Sequence, residues 1–382
     1  MRKLWMACSA VLGCVWFAAA AFGEPTAPEA GDPKRSGDPS DRERVVRAAS
    51  YTLSTQRDDG LFLYDFDFLA GAPTGKDNVV RQAGTLFALG EYLLDSGDER
   101  VAPAMERGFE ALWERSLPTG KGRVQSVLER LGVFAFSSWR LSQWLDRWGL
   151  MHWPQGDGRL IADDGRYETA WSGATALALV AELHYFRATG DDRFREQREA
   201  WLRGLLSLYV PRRGVRSHPK TLEEATYFNG ETWLALGYYA ETFPDATEVR
   251  SVLSPFEDYL LERYDLDREA LFYHWAGMAS AVRYRHSEDP RLADFIATQS
   301  AWFLDERPWD EAATDTSCST IEGLASAAET LTASGGYDAI LQRIRRRISL
   351  ELSRNRPLQI EPGQDRIELP FGGRLTTPTL SE

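Results

Sequence analysis

Five stretches, AGTLFAL (83–89), GATALAL (173–179), GETWLAL (230–236), AGMASAV (276–282) and EGLASAA (322–328), share one pattern. Each opens on small residues, with a glutamate in two cases, and continues as an Ala- and Leu-rich run. Aligned on Ala88, Ala178, Ala235, Ala281 and Ala327, they recur at steps of 90, 57, 46 and 46 residues. Turns such as Ser96-Gly-Asp, Thr189-Gly-Asp and Phe243-Pro-Asp follow them. Then come partner segments near 100–116, 191–208, 246–263, 289–305 and 337–354, in which apolar and charged residues alternate at helical spacing. A helix that is apolar nearly all round is buried on every side, whereas one with a single apolar stripe keeps a wet face. The first type therefore forms an inner ring and the second an outer ring.

Helical hairpins repeating around an axis build an open solenoid or a closed α/α toroid. Long aromatic and acidic segments (61–78, 153–168, 212–227) precede inner helices, and the turns after them are short. That asymmetry gathers the elaborate loops on one rim, so the expected fold is all-α, an α/α toroid of inner and outer helices. The count is uneven: six outer helices, taking 42–57 as the first, against five inner ones. A sixth inner helix falls due after Phe371-Gly-Gly-Arg374, so the toroid is expected to be incomplete at the C-terminus, or else completed by the segment 134–148.

Outside the repeat, residues 1–23 combine Arg2 and Lys3, an apolar stretch and small residues before Gly23, the layout of a secretory signal peptide. A lipid anchor at Cys14 is the competing reading. Residues 24–41 are rich in Pro, Gly, Asp and Ser and read as a flexible linker, and 42–382 as the toroid domain. The expected product is secreted or periplasmic and has no transmembrane helix, which would need about 20 apolar residues. A net charge of -13 argues against a nucleic-acid partner. Only Cys318 remains outside the leader, which excludes an internal disulfide. No cofactor and no metal site is expected: HExxH, CxxC, Walker and GxSxG patterns are absent.

With inner and outer helices alternating, the motifs NVVRQAGTLFAL (78–89), YFNGETWLALGYY (227–239) and CSTIEGLASAA (318–328) resemble those of the six-hairpin α/α toroids. That superfamily contains glycoside hydrolases, polysaccharide lyases and sugar epimerases. The likeness spans residues 42–355 and implies a carbohydrate substrate. It concerns architecture, and the chemistry has to be read from individual residues.

Glu231 and Glu322 stand where other repeats carry Gly or Ala next to the axis. A carboxylate there is desolvated, and burial raises its pKa, as a general acid requires. Two carboxylates facing one cavity suit glycosidic hydrolysis, one protonating the leaving oxygen and the other activating water or attacking carbon. They are the expected catalytic pair. The alternatives are local: Ser319-Thr-Ile-Glu322 fits a capping box, and Glu231 fits a first-turn acid favoured by the helix dipole. Arg81 can grip a carboxylate of substrate or pair with Asp77. His274 reads as a base or a hydrogen-bonded core histidine. Asp65 and Asp67 alternate with aromatics as the face of a short extended segment. Tyr64, Trp171, Tyr227, Asn229 and Trp275 complete the expected substrate-binding set, with Asp163, Asp164, Glu168, His218, Trp153, Trp233 and Tyr273 as further candidates. A lyase or epimerase on the same fold would use Tyr227 or His274 as base and Arg81 to neutralise a uronic-acid carboxylate, which predicts selectivity for acidic glycans. A non-catalytic toroid binding a glycan or a protein of the cell envelope is the reading from another class.

Overall fold

The computed structural model describes residues 40–67, 72–119, 157–310, 317–356 and 359, and the backbone of a hairpin at 366–369 and 373–376. The leader, the linker up to residue 39, and the segment 134–148 lie outside the described residues, as does Trp153. Among the described residues eleven α-helices alternate in two layers. The outer layer holds α1 (Asp41–Ser54), α3 (Val101–Glu114), α5 (Arg195–Leu208), α7 (Thr247–Leu266), α9 (Pro290–Glu306) and α11 (Asp338–Asn355). The inner layer holds α2 (Val79–Ser96), α4 (Ser172–Thr189), α6 (Thr226–Thr242), α8 (Ala270–Ser287) and α10 (Ser317–Ser334). The fold is the expected α/α toroid.

Sequence explains the two layers. Every residue of α4 from Ser172 to Tyr185 is buried, and so is α6 from Asn229 to Ala240. In α11 only Leu341, Ile344, Ile348, Glu351 and Leu352 are buried, a stripe at helical spacing beside exposed arginines. Boundaries follow capping chemistry. Ser40 and Glu43 form a reciprocal capping box on α1, Asn78 Oδ1 accepts the Arg81 N–H at 3.1 Å, and Gly97 and Gly190 end α2 and α4 in the left-handed region.

The inner helices stand in the order α2, α4, α6, α8, α10, each packed on the next and backed by the outer helix that follows it. Helix α2 packs directly onto α4 although 90 residues separate Ala88 from Ala178. Glycines make these approaches possible. A Cβ on Gly173 would run into the Glu231 carboxyl and Phe228, one on Gly230 into Trp275, and one on Gly277 into the Gly323 carbonyl. The outer row returns to its start, where Arg356 pairs with Asp41 (2.9 and 2.8 Å) and Gln359 Nε2 donates to the Arg44 carbonyl at 2.8 Å.

Three two-stranded antiparallel hairpins decorate the segments that lead into inner helices. They are β1/β2 (Phe66–Asp67, Ala72–Pro73), β3/β4 (Ser116–Pro118, Arg159–Ile161) and β5/β6 (Tyr209–Val210, Gly214–Val215). A fourth, β7/β8, pairs Arg366–Leu369 with Gly373–Thr376. The connections leaving inner helices are brief. One end of the toroid is thus built of elaborated loops, at the N-terminal ends of the inner helices. Among the described residues no helix is long and apolar enough to cross a membrane.

Candidate active site

At the loop-bearing mouth, His274 of α8 and Glu322 of α10 meet, with Nε2 2.6 Å from Oε2. Their side chains are only 9% and 13% exposed, so the pair is largely shielded from water while still reaching the mouth. The close approach depends on Gly323, whose missing side chain leaves room for the His274 backbone. Beside the imidazole opens a cavity lined by Tyr227, Tyr273, Phe303, Arg307 and Thr320. His274 Nδ1 is buried and has no partner among the described residues. The Glu322 carboxylate therefore orients the ring through one nitrogen and leaves the other for chemistry.

Glu231 projects from α6 against Gly173, fully enclosed, and neither carboxyl oxygen has a hydrogen-bond partner among the described residues. Burial pushes its pKa well above the carboxylate range, and the Arg81 guanidinium opposes this in part. Burial therefore favours the neutral acid over the carboxylate at this position. Tyr227 lines the cavity with His274 and feels both Glu231 and Glu322. Its ring meets Trp275 edge-on at 5.6 Å, and burial raises its phenol above the ordinary range, with Glu231, where ionised, adding to the effect. Glu322 acts on the phenol in the same sense and Arg81 against it.

Both local alternatives for the glutamates are corrected. Helix α10 begins at Ser317, whose Oγ lies 2.6 Å from Glu351 Oε2 on α11, so Ser319 is inside the helix and no cap. Helix α6 begins at Thr226, which puts Glu231 in the second turn, beyond the free N–H groups of a helix start. Asp77 is engaged by Arg57 (3.2 Å), Arg115 (3.5 Å) and Gln82 (2.8 Å), not by Arg81. Arg81 is exposed in the first turn of α2, with no carboxylate paired to it among the described residues.

Other expected ligand residues are engaged by the protein. Asn229 is buried, and its amide accepts from the Val215 N–H (2.8 Å) and donates to Glu224 (2.8 Å) and Tyr264 (3.2 Å). It fastens the β5/β6 hairpin to α6 and does not line a cleft. Asp163 accepts the Val79 N–H at 2.7 Å and the Trp171 indole N–H at 3.1 Å, joining the starts of α2 and α4. Trp171 is half-buried between His218 and Phe228. Trp233 and Tyr273 are core residues bonded to Glu257 and Ser300. Asp65 lies 3.7 Å from Lys76, and only Asp67 belongs to a strand, so the acids do not share the extended face expected of them. Tyr64 is half-buried just ahead of that strand. Asp164 pairs with Arg166 and Glu168 with Lys220, on the exposed rim. Trp275 is 5% exposed, and its indole N–H is unpartnered among the described residues.

Several buried ionisable groups escaped the sequence reading, Glu91 and His184 among them. Glu91 sits deeper on α2, pushed well above the carboxylate range by burial, with the Glu322 charge adding to the effect. His184 on α4 is fully enclosed with both ring nitrogens unpartnered among the described residues. The signal that singled out Glu231, an ionisable residue inside an apolar inner run, was present for both, in ALGEYLL (88–94) and ALVAELHYF (178–186). Among the described residues no group of three or more His, Cys, Asp or Glu is arranged to hold a metal.

An inner ring of helices backed by an outer one, with an acid and a histidine–carboxylate pair at its loop-bearing end, defines the class by fold: an α/α toroid. The chain matches the structure of cellobiose 2-epimerase from Spirochaeta thermophila DSM 6192 with a TM-score of 0.50, over 93% of this chain and 86% of that one. At 15% identity, what the two share is the fold. No protein-family model matches the chain, and no curated protein matches its sequence.

Proposed function

We propose that the toroid mouth is an active site for a carbohydrate and works by acid–base chemistry, with His274 as base, Glu322 as its orienting carboxylate and protonated Glu231 as acid. The observation that carries this reading is the 2.6 Å contact between His274 Nε2 and Glu322 Oε2. A carboxylate held in that way is not free to activate water as a hydrolase pair would require, whereas the imidazole Nδ1 has no partner among the described residues. Abstraction of a proton from a sugar carbon, as in epimerisation, isomerisation or elimination, is the favoured reaction class. The cellobiose 2-epimerase with the same fold is in keeping with it. Glycosidic hydrolysis is the second reading, favoured by the burial of Glu231, which shifts its pKa upward in the direction a general acid requires.

One experiment separates these reactions. The protein is incubated in D2O with reducing mono- and disaccharides and with neutral and uronic-acid oligosaccharides, and proton spectra are followed. Deuterium entering a sugar C–H position together with a new epimer or ketose is the expected result. New anomeric signals without exchange would mean a hydrolase, and vinyl protons a lyase. Silence across the panel from folded protein would move the reading to a glycan- or protein-binding toroid. The leader-like residues 1–23 support a further proposal, that the protein is secreted or periplasmic. Sequencing the N-terminus of protein recovered outside the cytoplasm tests it, with a start near Glu24 expected.

A further inference from the structure

We infer that the sugar taken at this mouth carries a hydrocarbon aglycone, an alkyl or aryl group, seated in the cavity beside His274 and led outward over Leu271 and Leu266. The inference rests on the carbohydrate reading above and adds the chemistry of what the sugar is attached to. Its ground is the wall of that cavity. Ala270, Leu271, Tyr273 and Phe303 line it with hydrocarbon, and Arg307, Ser319 and Thr320 are the polar residues beside the imidazole. Tyr273 has its hydroxyl turned to Ser300 at 3.0 Å and its ring stacked on Phe303, centroids 4.4 Å apart, so this part of the wall has little to offer a sugar hydroxyl. Leu271 stands in the first turn of α8, three residues before His274 and on the same face of the helix, so a group resting on it lies next to the imidazole.

The apolar path continues outside the cavity. Leu266 at 83% and Leu271 at 57% are the most exposed large hydrophobic side chains among the described residues, and they stand on either side of the link 267–269 that leads into α8. An exposed leucine by itself calls for no explanation. Here one of the two is also part of the wall around the reacting imidazole, so the exposed surface and the site are continuous. Charge selects the occupant. Within 262–269 four acids, Glu262, Asp265, Asp267 and Glu269, outnumber two arginines, Arg263 and Arg268. An anionic lipid surface would be repelled there, and a second copy docked symmetrically would bring the same surplus against itself. An uncharged hydrocarbon meets no such penalty, and covering the leucines with it takes apolar surface out of water on both sides.

The test is calorimetric titration of the full chain with methyl, butyl, octyl and phenyl glucosides, galactosides and mannosides, kept below their micelle concentrations, with octanol as the sugar-free control. Each methylene taken out of water is worth about a fourfold gain, so for at least one sugar the butyl or phenyl glycoside should bind about tenfold tighter than the methyl, with a more negative heat-capacity change. Whichever of octyl and phenyl gains more identifies the group as alkyl or aryl. Leu266→Ser combined with Leu271→Ser, at positions whose exposure spares the core, should cut the gain from methyl to octyl about threefold or more. Equal affinity along the series, or a gain untouched by the double substitution, overturns the inference and leaves the carbohydrate reading intact. Octanol bound as tightly as its glycosides, or no binding by any glycoside, overturns both.

Discussion

A carboxyl group closed off from water with no hydrogen-bond donor holds its proton to higher pH than a solvated one, and Glu231 is in that position among the described residues. Glu231→Gln preserves shape and neutrality but removes the transferable proton. Turnover of an identified substrate should fall on the order of a hundredfold or more, with folding at neutral pH little changed. The same proton makes stability depend on pH. The folded chain retains it while the unfolded chain gives it up above the ordinary carboxylate range. The associated stability is complete below that range and is lost as pH rises towards the raised folded value. Melting temperatures between pH 5 and 9 should therefore decline less in Glu231→Gln than in the parent, and parallel curves would show that the group is ionised or exposed. His184 runs the other way. Burial pushes its pKa down to about 3, so it stays neutral when folded, whereas the unfolded chain takes up a proton below about pH 6.5. Its stability is complete above that point and is lost as pH falls. Removing the imidazole in His184→Leu should flatten the decline between pH 6.5 and 4 in thermal melts.

Among the elements, glycines decide how closely inner helices approach, and two of them offer a controlled comparison. At Gly277 an added methyl meets the Gly323 backbone, while at Gly84 the nearest atom is Leu177 Cδ1 at 3.8 Å. Gly277→Ala should destabilise by about 1–3 kcal/mol, and Gly84→Ala should be neutral or stabilise by up to about 1 kcal/mol through helix propensity. Urea unfolding of both variants measures this, and similar shifts would disprove the packing argument. The inner helices were legible in sequence because burial on all sides leaves an Ala/Leu signature that local reading detects. The start of α10 was not, because Ser317 is held by Glu351 on α11, and the local Ser-x-x-Glu pattern at 319–322 mimics a cap where none exists. Asn229 and Asp163 were misjudged for the same reason: their partners lie on other elements, Val215 and Glu224 for one, Val79 and Trp171 for the other. The histidine–carboxylate pair likewise joins residues from two hairpins, so its members could be named but not matched.

Across the whole molecule, the end opposite the mouth carries an alternating ladder of charge. Arg187 of α4 bonds Glu241 of α6 at 2.8 Å, Arg285 of α8 reaches Glu241 at 3.6 Å, and the same arginine bonds Glu329 of α10 at 2.7 Å. Four successive inner helices are tied by one row of partly exposed ion pairs. Such pairs contribute modestly, so Arg285→Gln should cost about 1 kcal/mol at low salt and less in molar salt, as read by denaturant midpoints. A salt-independent loss would assign Arg285 a packing role instead. The seam between α1 and α11 carries another implication. Because Asp41 and Arg356 touch, the first and last outer helices are neighbours in space although they are farthest apart along the ring's sequence. The order in which the hairpins are synthesised is then a convention of the gene rather than a demand of the architecture. A circular permutant that joined these two helices by a short linker and opened at the left-handed Gly97 turn would present the same hairpins to the same neighbours, with its new ends on the side away from the mouth.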